Sequence, residues 1–257
     1  MSGAGVPVVE IHGALIADAF VPLLTEPALG GYQQIAYHRR GYAGSTAASG
    51  PLSVPEQAAD TFALLRHLGI SRAHVVGHSY GGAVALQLAL DAPDSVHSLA
   101  LLEPALILGS SGAEYRRSLA QAIESYHHAR PAAVVDGMLE ARWPAYRVGL
   151  DHALPGAFDA AVTAAGAAFE AELPGLLDWQ FDATSAGRIS QPVLSVVGGE
   201  SASLSPRFVE AHEWLLTTLP NTEAYVLPRA HHFLQIENPS DLAAALSDFY
   251  ARHPLVA

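Results

Sequence analysis

A chain of 257 residues and 26.9 kDa can bury about 70% of the surface it exposes when unfolded, which fits one α/β domain or a core with an inserted subdomain. Half of the residues are hydrophobic and 15% charged, which excludes wholesale disorder; the lack of cysteine and lysine excludes disulfides, thiolate nucleophiles, cysteine-ligated metals and Schiff-base chemistry. A net charge of −12, with arginine as the only strong base, opposes nucleic-acid or anionic-lipid partners.

Residues 1–20 contain no basic segment followed by an apolar run, and no stretch approaches the roughly 20 apolar residues of a bilayer span. A cytoplasmic protein is expected. Short apolar runs alternate with helical patterns, as in a parallel sheet flanked by helices. Val6–Ile11 reads as a buried strand ending at His12-Gly13, and Gln34–Tyr37 as a second one before the loop Arg39-Arg40-Gly41-Tyr42-Ala43-Gly44-Ser45. Ser53 and Glu56 have capping-box spacing, and Ala58, Phe62, Leu65 and Leu68 then recur on one helical face until Gly69. Ala73–Val76 is a third strand, running directly into Gly77-His78-Ser79-Tyr80-Gly81-Gly82 and a small-residue helix to Leu90. Val96–Leu102 is a fourth, ending at Glu103-Pro104.

From Leu106 to Gly187 the strand pattern stops. Tyr115, Leu119, Ile123 and Tyr126, then Val134, Val135, Met138 and Leu139, have helical spacing, and Pro131, Pro144, Pro155 and Pro174 are expected to divide this segment into short helices. Strands resume at Val193–Val197 and Ala224–Leu227, and Asn238-Pro239 opens a closing helix whose inner face carries Leu242, Leu246 and Phe249. The expected organisation is a core of residues 1–106 and 188–257 with an all-helical cap at 107–187.

Gly77-His78-Ser79-Tyr80-Gly81 fits G-x-S-x-G, in which small residues flank a serine held on a tight strand-to-helix turn. Together with four further ordered matches, His12-Gly13, the Arg39–Ser45 loop, Gln191-Pro192-Val193-Leu194 and Ala230-His231-His232-Phe233, it resembles the α/β-hydrolase fold family. The resemblance implies Ser79 as nucleophile, His232 as base, with His231 as the alternative, and backbone N–H groups of Ala14 and Tyr80 as oxyanion donors. His12 is expected to hold its turn.

The acid departs from the family pattern. After Val193–Val197 the family commonly reads G-x-x-D, whereas here Gly198-Gly199-Glu200 is followed by Ser201. Glu103, one helix, one turn and one strand after Ser79, is the favoured acid, as in some haloalkane dehalogenases and fungal-toxin lactonases of the superfamily; Glu200 is the alternative. Trp143, Tyr146, Trp179 and Phe181 are expected to hold cap helices together rather than line an acyl pocket.

These residues point to a serine hydrolase of carboxylic esters or lactones, acting through an acyl-enzyme on a small or medium apolar substrate with no cofactor and no metal. The same triad serves C–C hydrolases, acyltransferases and perhydrolases, and a ligand receptor built on the fold is the non-enzymatic alternative. Family members usually carry two more strands before the one preceding His12-Gly13. The strand around Gln34–Tyr37 is therefore expected at a sheet edge, and a homodimer is expected to cover it.

Overall fold

The computed structural model of the protein describes residues 1–48 and 50–255. Its strands are β1 (Val6–Ile11), β2 (Tyr32–Ala36), β3 (Ala73–His78), β4 (Val96–Leu102), β5 (Val193–Gly198) and β6 (Thr222–Leu227). They form one parallel sheet in the order β2-β1-β3-β4-β5-β6. From β1 the chain steps outward to β2, then crosses back to β3 on the other side of β1. The order therefore reverses between β1 and β3, and in open α/β sheets the crevice beyond the carboxyl ends of such neighbours is where ligands bind.

Alternation along the strands feeds two cores. Val9, Val75, Leu99, Leu101 and Val193 face α1 (Val54–His67), α2 (Tyr80–Asp91) and α9 (Arg207–Thr218). Val8, Val76, Ala100, Leu102, Leu194 and Val196 face α11 (Pro239–Arg252) and the short 3₁₀ turns at residues 23–29. The capping box forms as expected, with Ser53 and Glu56 bonded reciprocally, and Gly69 takes the left-handed φ of +72° beyond α1. Phe62 departs from expectation: it is 37% exposed, and Thr61 holds the buried position beside Ala58 and Leu65.

Between β4 and β5 lie helices only: α3 (Gly112–His128), α4 (Pro131–Glu140), α5 (Tyr146–Ala153), α6 (Ala157–Thr163), α7 (Leu173–Asp178) and α8 (Ala183–Ala186). Pro131 opens α4, and Pro144 and Pro155 fall between helices. Pro174 does not break the chain. A π-type turn, Ala167–Glu172, immediately precedes α7, and Pro174 lies in the first turn of α7, where its missing N–H costs no helical bond. Closing the fold, α10 (Leu234–Glu237) and α11 follow β6, with the Asn238 side chain capping α11. Among the described residues no helix is long and apolar enough to cross a membrane.

β2 is an edge strand, as expected. Part of that edge is paired within the chain, because Ser2 and Gln34 exchange two backbone hydrogen bonds of 3.0 and 2.9 Å.

Glu10 lies on the α11 face of β1, 1% exposed, and neither of its carboxyl oxygens has a hydrogen-bond partner. Burial pushes it up to about 8, slightly opposed by the N-terminal amine. Unfolded, it titrates near 4.5. Between those values the unfolded chain releases a proton that the folded chain retains, so stability present below pH 4.5 is lost as pH rises toward 8, by a few kcal/mol in total. Glu10→Gln should therefore melt above the wild type at pH 8, and the gap should close at pH 5; thermal melts across this range provide the check.

Candidate active site

Ser79 stands at the carboxyl end of β3, beside the sheet's reversal point, with φ +52° and ψ −117°. This is a strained conformation for a residue with a side chain, of the kind found where a site requires it. The flanking glycines make it feasible. A Cβ on Gly77 would meet the Gly81 carbonyl oxygen at 2.5 Å, and one on Gly81 would meet that of Ile11 at 2.0 Å. The turn thus fits tightly between β1 and α2 and projects Oγ above the sheet.

The Ser79 hydroxyl donates to His232 Nε2 at 3.0 Å, and His232 Nδ1–H donates to Glu103 Oε2 at 2.6 Å. The other oxygen of Glu103 accepts the Gly198 N–H at 2.8 Å. Glu103 leaves β4 with φ +43°, and its own N–H bonds to the Val196 carbonyl at 3.1 Å. It therefore sits at the end of β5 as much as of β4. Glu200 is exposed, and Ser201, in the slot where the family commonly has its acid, is buried. His231 turns away and pairs with Glu237 at 2.9 Å.

Burial governs the electrostatics. It pushes Glu103 up to about 8 against the hydrogen bond from the Gly198 N–H. It also holds His232 well below the ordinary imidazole range, reinforced by His78, Arg207 and Arg142. Separated charges are thus disfavoured, and His232 is a neutral imidazole at neutral pH, able to accept a proton. Phe208 covers the imidazole at 4.8 Å between ring centres. His78 donates from Nε2 to the His232 carbonyl at 2.8 Å, and the His232 backbone N–H bonds to the Arg142 carbonyl at 3.2 Å, so the His232 backbone is fixed from both sides.

Ala14 and Tyr80 line the same small cavity as Ser79, about 20 Å³ in volume. Tyr80 opens α2, where the first N–H groups lack intrahelical acceptors. The turn before Ala14 is held by Arg39, which donates to the His12 and Gly13 carbonyls at 3.0 Å each. As expected, His12 is structural: Nδ1 bonds to the Gly13 carbonyl at 2.7 Å and Nε2 accepts the Arg39 N–H at 3.0 Å.

Arg39 also donates to Gln57 at 2.7 Å and forms a buried ion pair with Glu172 from the π-type turn. Tyr42 donates to the same carboxylate at 2.7 Å, and the Arg39 guanidinium lies over the Tyr80 ring at 4.8 Å. Burial disfavours its charge, but Glu172, together with Tyr42 and Tyr80, offsets this and raises its pKa. Sequence reasoning missed Glu172, Arg142, Arg207 and Phe208. For Phe208 alone a signal existed, since Phe208, Ala211, His212 and Leu215 follow helical spacing and are buried in α9. Of the insertion's aromatics, Tyr146 meets Phe158 between two inserted helices at 6.4 Å, whereas Trp143 meets Phe233 at 6.1 Å and Phe181 meets Trp214 at 5.9 Å, contacts that join the insertion to the core. Among the described residues no cluster of side chains could hold a metal ion.

Residues 7–239 match the α/β-hydrolase fold family. The chain belongs to that family. It is 30% identical over 261 residues to the dihydrolipoyllysine-residue acetyltransferase component of the acetoin cleaving system of Pseudomonas putida; the match covers 97% of this chain and 64% of that protein. By structure it resembles a thermophilic esterase from Thermogutta terrifontis, with a TM-score of 0.84 at 22% identity, covering 98% of this chain and 92% of the other. It also resembles the enol-lactonase of Burkholderia xenovorans LB400, with a TM-score of 0.76 at 20% identity, covering 97% and 92%. At such identities the two structural likenesses speak for the fold alone.

Glu172→Gln removes the counter-charge of Arg39 while keeping its shape. An uncompensated buried guanidinium costs about 3–5 kcal/mol, so the melting temperature should fall by roughly 6–20 °C, measured by calorimetry.

Proposed function

We propose that this α/β-hydrolase cleaves carboxylic esters or lactones through an acyl-enzyme, with Ser79 as nucleophile, His232 as base and Glu103 as orienting acid. The observation that carries the reading is the continuous chain of hydrogen bonds from Ser79 Oγ through His232 to Glu103. A serine hydroxyl is a poor nucleophile until a base takes its proton as it attacks. His232 Nε2 is within reach to take it, and Glu103 stabilises the imidazolium that results.

As Oγ bonds to the substrate carbonyl carbon, negative charge moves to the carbonyl oxygen, and the N–H groups of Ala14 and Tyr80 stabilise it. The imidazolium then gives its proton to the leaving alkoxide, and the C–O bond breaks. Water, deprotonated by the same imidazole, attacks the acyl carbon and releases the acid and Ser79. Residues 107–187 act as the cap. Its Leu119, Met138, Leu139, Leu173 and Leu176 face Ser79, which supports an apolar acyl chain beside the nucleophile.

Kinetics on p-nitrophenyl esters test the assignment. Glu103→Gln should lower kcat by a factor on the order of 10⁴ with its fold retained, and Ser79→Ala by about 10⁶. Glu200→Gln should change little. A large loss at Glu200 with near-wild-type activity at Glu103 would move the acid to Glu200.

A further inference from the structure

Beside the small cavity at Ser79 lies an open cleft of about 620 Å³ between α3, α4 and the start of α9. Four residues line both spaces: Tyr115, Leu119, Met138 and Arg142. They form the wall between nucleophile and cleft, and one of them is a cation. Arg207 is a second cation lining the cleft.

Neither arginine has a carboxylate within ion-pairing distance among the described residues. Arg142 uses one donor on the Met138 carbonyl at 2.9 Å and also interacts with the Tyr115 hydroxyl. The Arg207 guanidinium lies over the rings of Tyr115 at 4.1 Å and Phe208 at 3.8 Å. Stacking of this kind fixes the guanidinium plane and leaves its in-plane N–H donors open. The nearest acid on its own helix, Glu210, is engaged by the hydroxyls of Ser110 and Ser111 at 2.5 and 2.8 Å. Glu114, also on the cleft, is exposed.

This arrangement costs stability. Arg207 opens α9, the end of a helix where a cation is unfavourable. Burial and repulsion from Arg207 push Arg142 down to about 10. Two half-buried guanidiniums that repel each other, held by aromatic stacking and a carbonyl rather than by carboxylates, form a receptor for an anion.

We propose that Arg142 and Arg207 form a carboxylate-binding subsite, so that the preferred substrate is an ester or lactone whose acyl chain is apolar near the scissile bond and carries a carboxylate at its far end. This rests on the hydrolase reading above. The apolar wall of Leu119 and Met138 takes the methylenes, and the carboxylate reaches the cleft, where the two forks receive it.

The test compares mono-p-nitrophenyl adipate with p-nitrophenyl hexanoate, which differ in carrying a carboxylate or a methyl at the chain end. Wild-type kcat/KM should favour the adipate at least ten-fold. Arg142→Gln and Arg207→Gln should each lower that ratio at least ten-fold, with melting temperature as the control for folding. If Arg142→Gln fails to fold, Arg207→Gln carries the test. Binding is read separately, by calorimetry of monoethyl adipate on Ser79→Ala and on Ser79→Ala with Arg207→Gln. Affinity at least ten-fold weaker in the double variant supports the subsite even where the wild type cleaves neither ester, an outcome that would overturn the hydrolase reading instead. Equal kcat/KM for the two esters, or a preference that survives both arginine substitutions, overturns the subsite.

Discussion

One buried guanidinium ties the active region together. Arg39 reaches the carbonyls of His12 and Gly13, the Gln57 amide of α1, the Glu172 carboxylate and the face of Tyr80. Those groups come from the turn after β1, the helix after β2, the inserted helices and the residue following Ser79. A charge buried to this degree is tolerated only with a counter-ion and filled hydrogen bonds. The position of the inserted helices is thus coupled to the geometry of the turn before Ala14, and the π-type turn that presents Glu172 belongs to the same constraint. Loosening any member leaves the others facing an unpaired charge.

The location of Glu103 follows from strand pairing. β4 and β5 are neighbours in register, Leu102 opposite Val196, so the residue after β4 and the loop after β5 open onto the same point above the sheet. A carboxylate leaving either strand can approach His232. Glu103 does so by taking a positive φ and accepting the Gly198 N–H from the loop across. With that space filled, Ser201 is buried beside it and Glu200 remains in solvent.

Most of the fold was legible because its signals are local. Val96–Leu102 and Val6–Ile11 are strands to the residue, since buried parallel strands read as short apolar runs bounded by turn residues. Ser79 was legible because a tight strand-to-helix turn needs glycine at fixed offsets. Less legible were features that depend on distant partners. Phe62 has the spacing of a buried residue yet lies partly in water, because Thr61 bonds to Tyr37 at 2.6 Å and takes the inner position. Glu172 looked like any helical glutamate, and only the tertiary fold brings it against Arg39, 133 residues earlier. Arg142 and Arg207 are likewise distinguished by what does not pair with them, which no spacing reveals.

The central claim is that Ser79 is an activated nucleophile, and covalent trapping tests it most directly. Incubation with a fluorophosphonate followed by peptide mass spectrometry should give one phosphonyl adduct per chain, located on Ser79. Labelling should slow markedly in Glu103→Gln and be absent in Ser79→Ala. An unlabelled wild type, or an adduct on another serine with Ser79 free, would contradict the account.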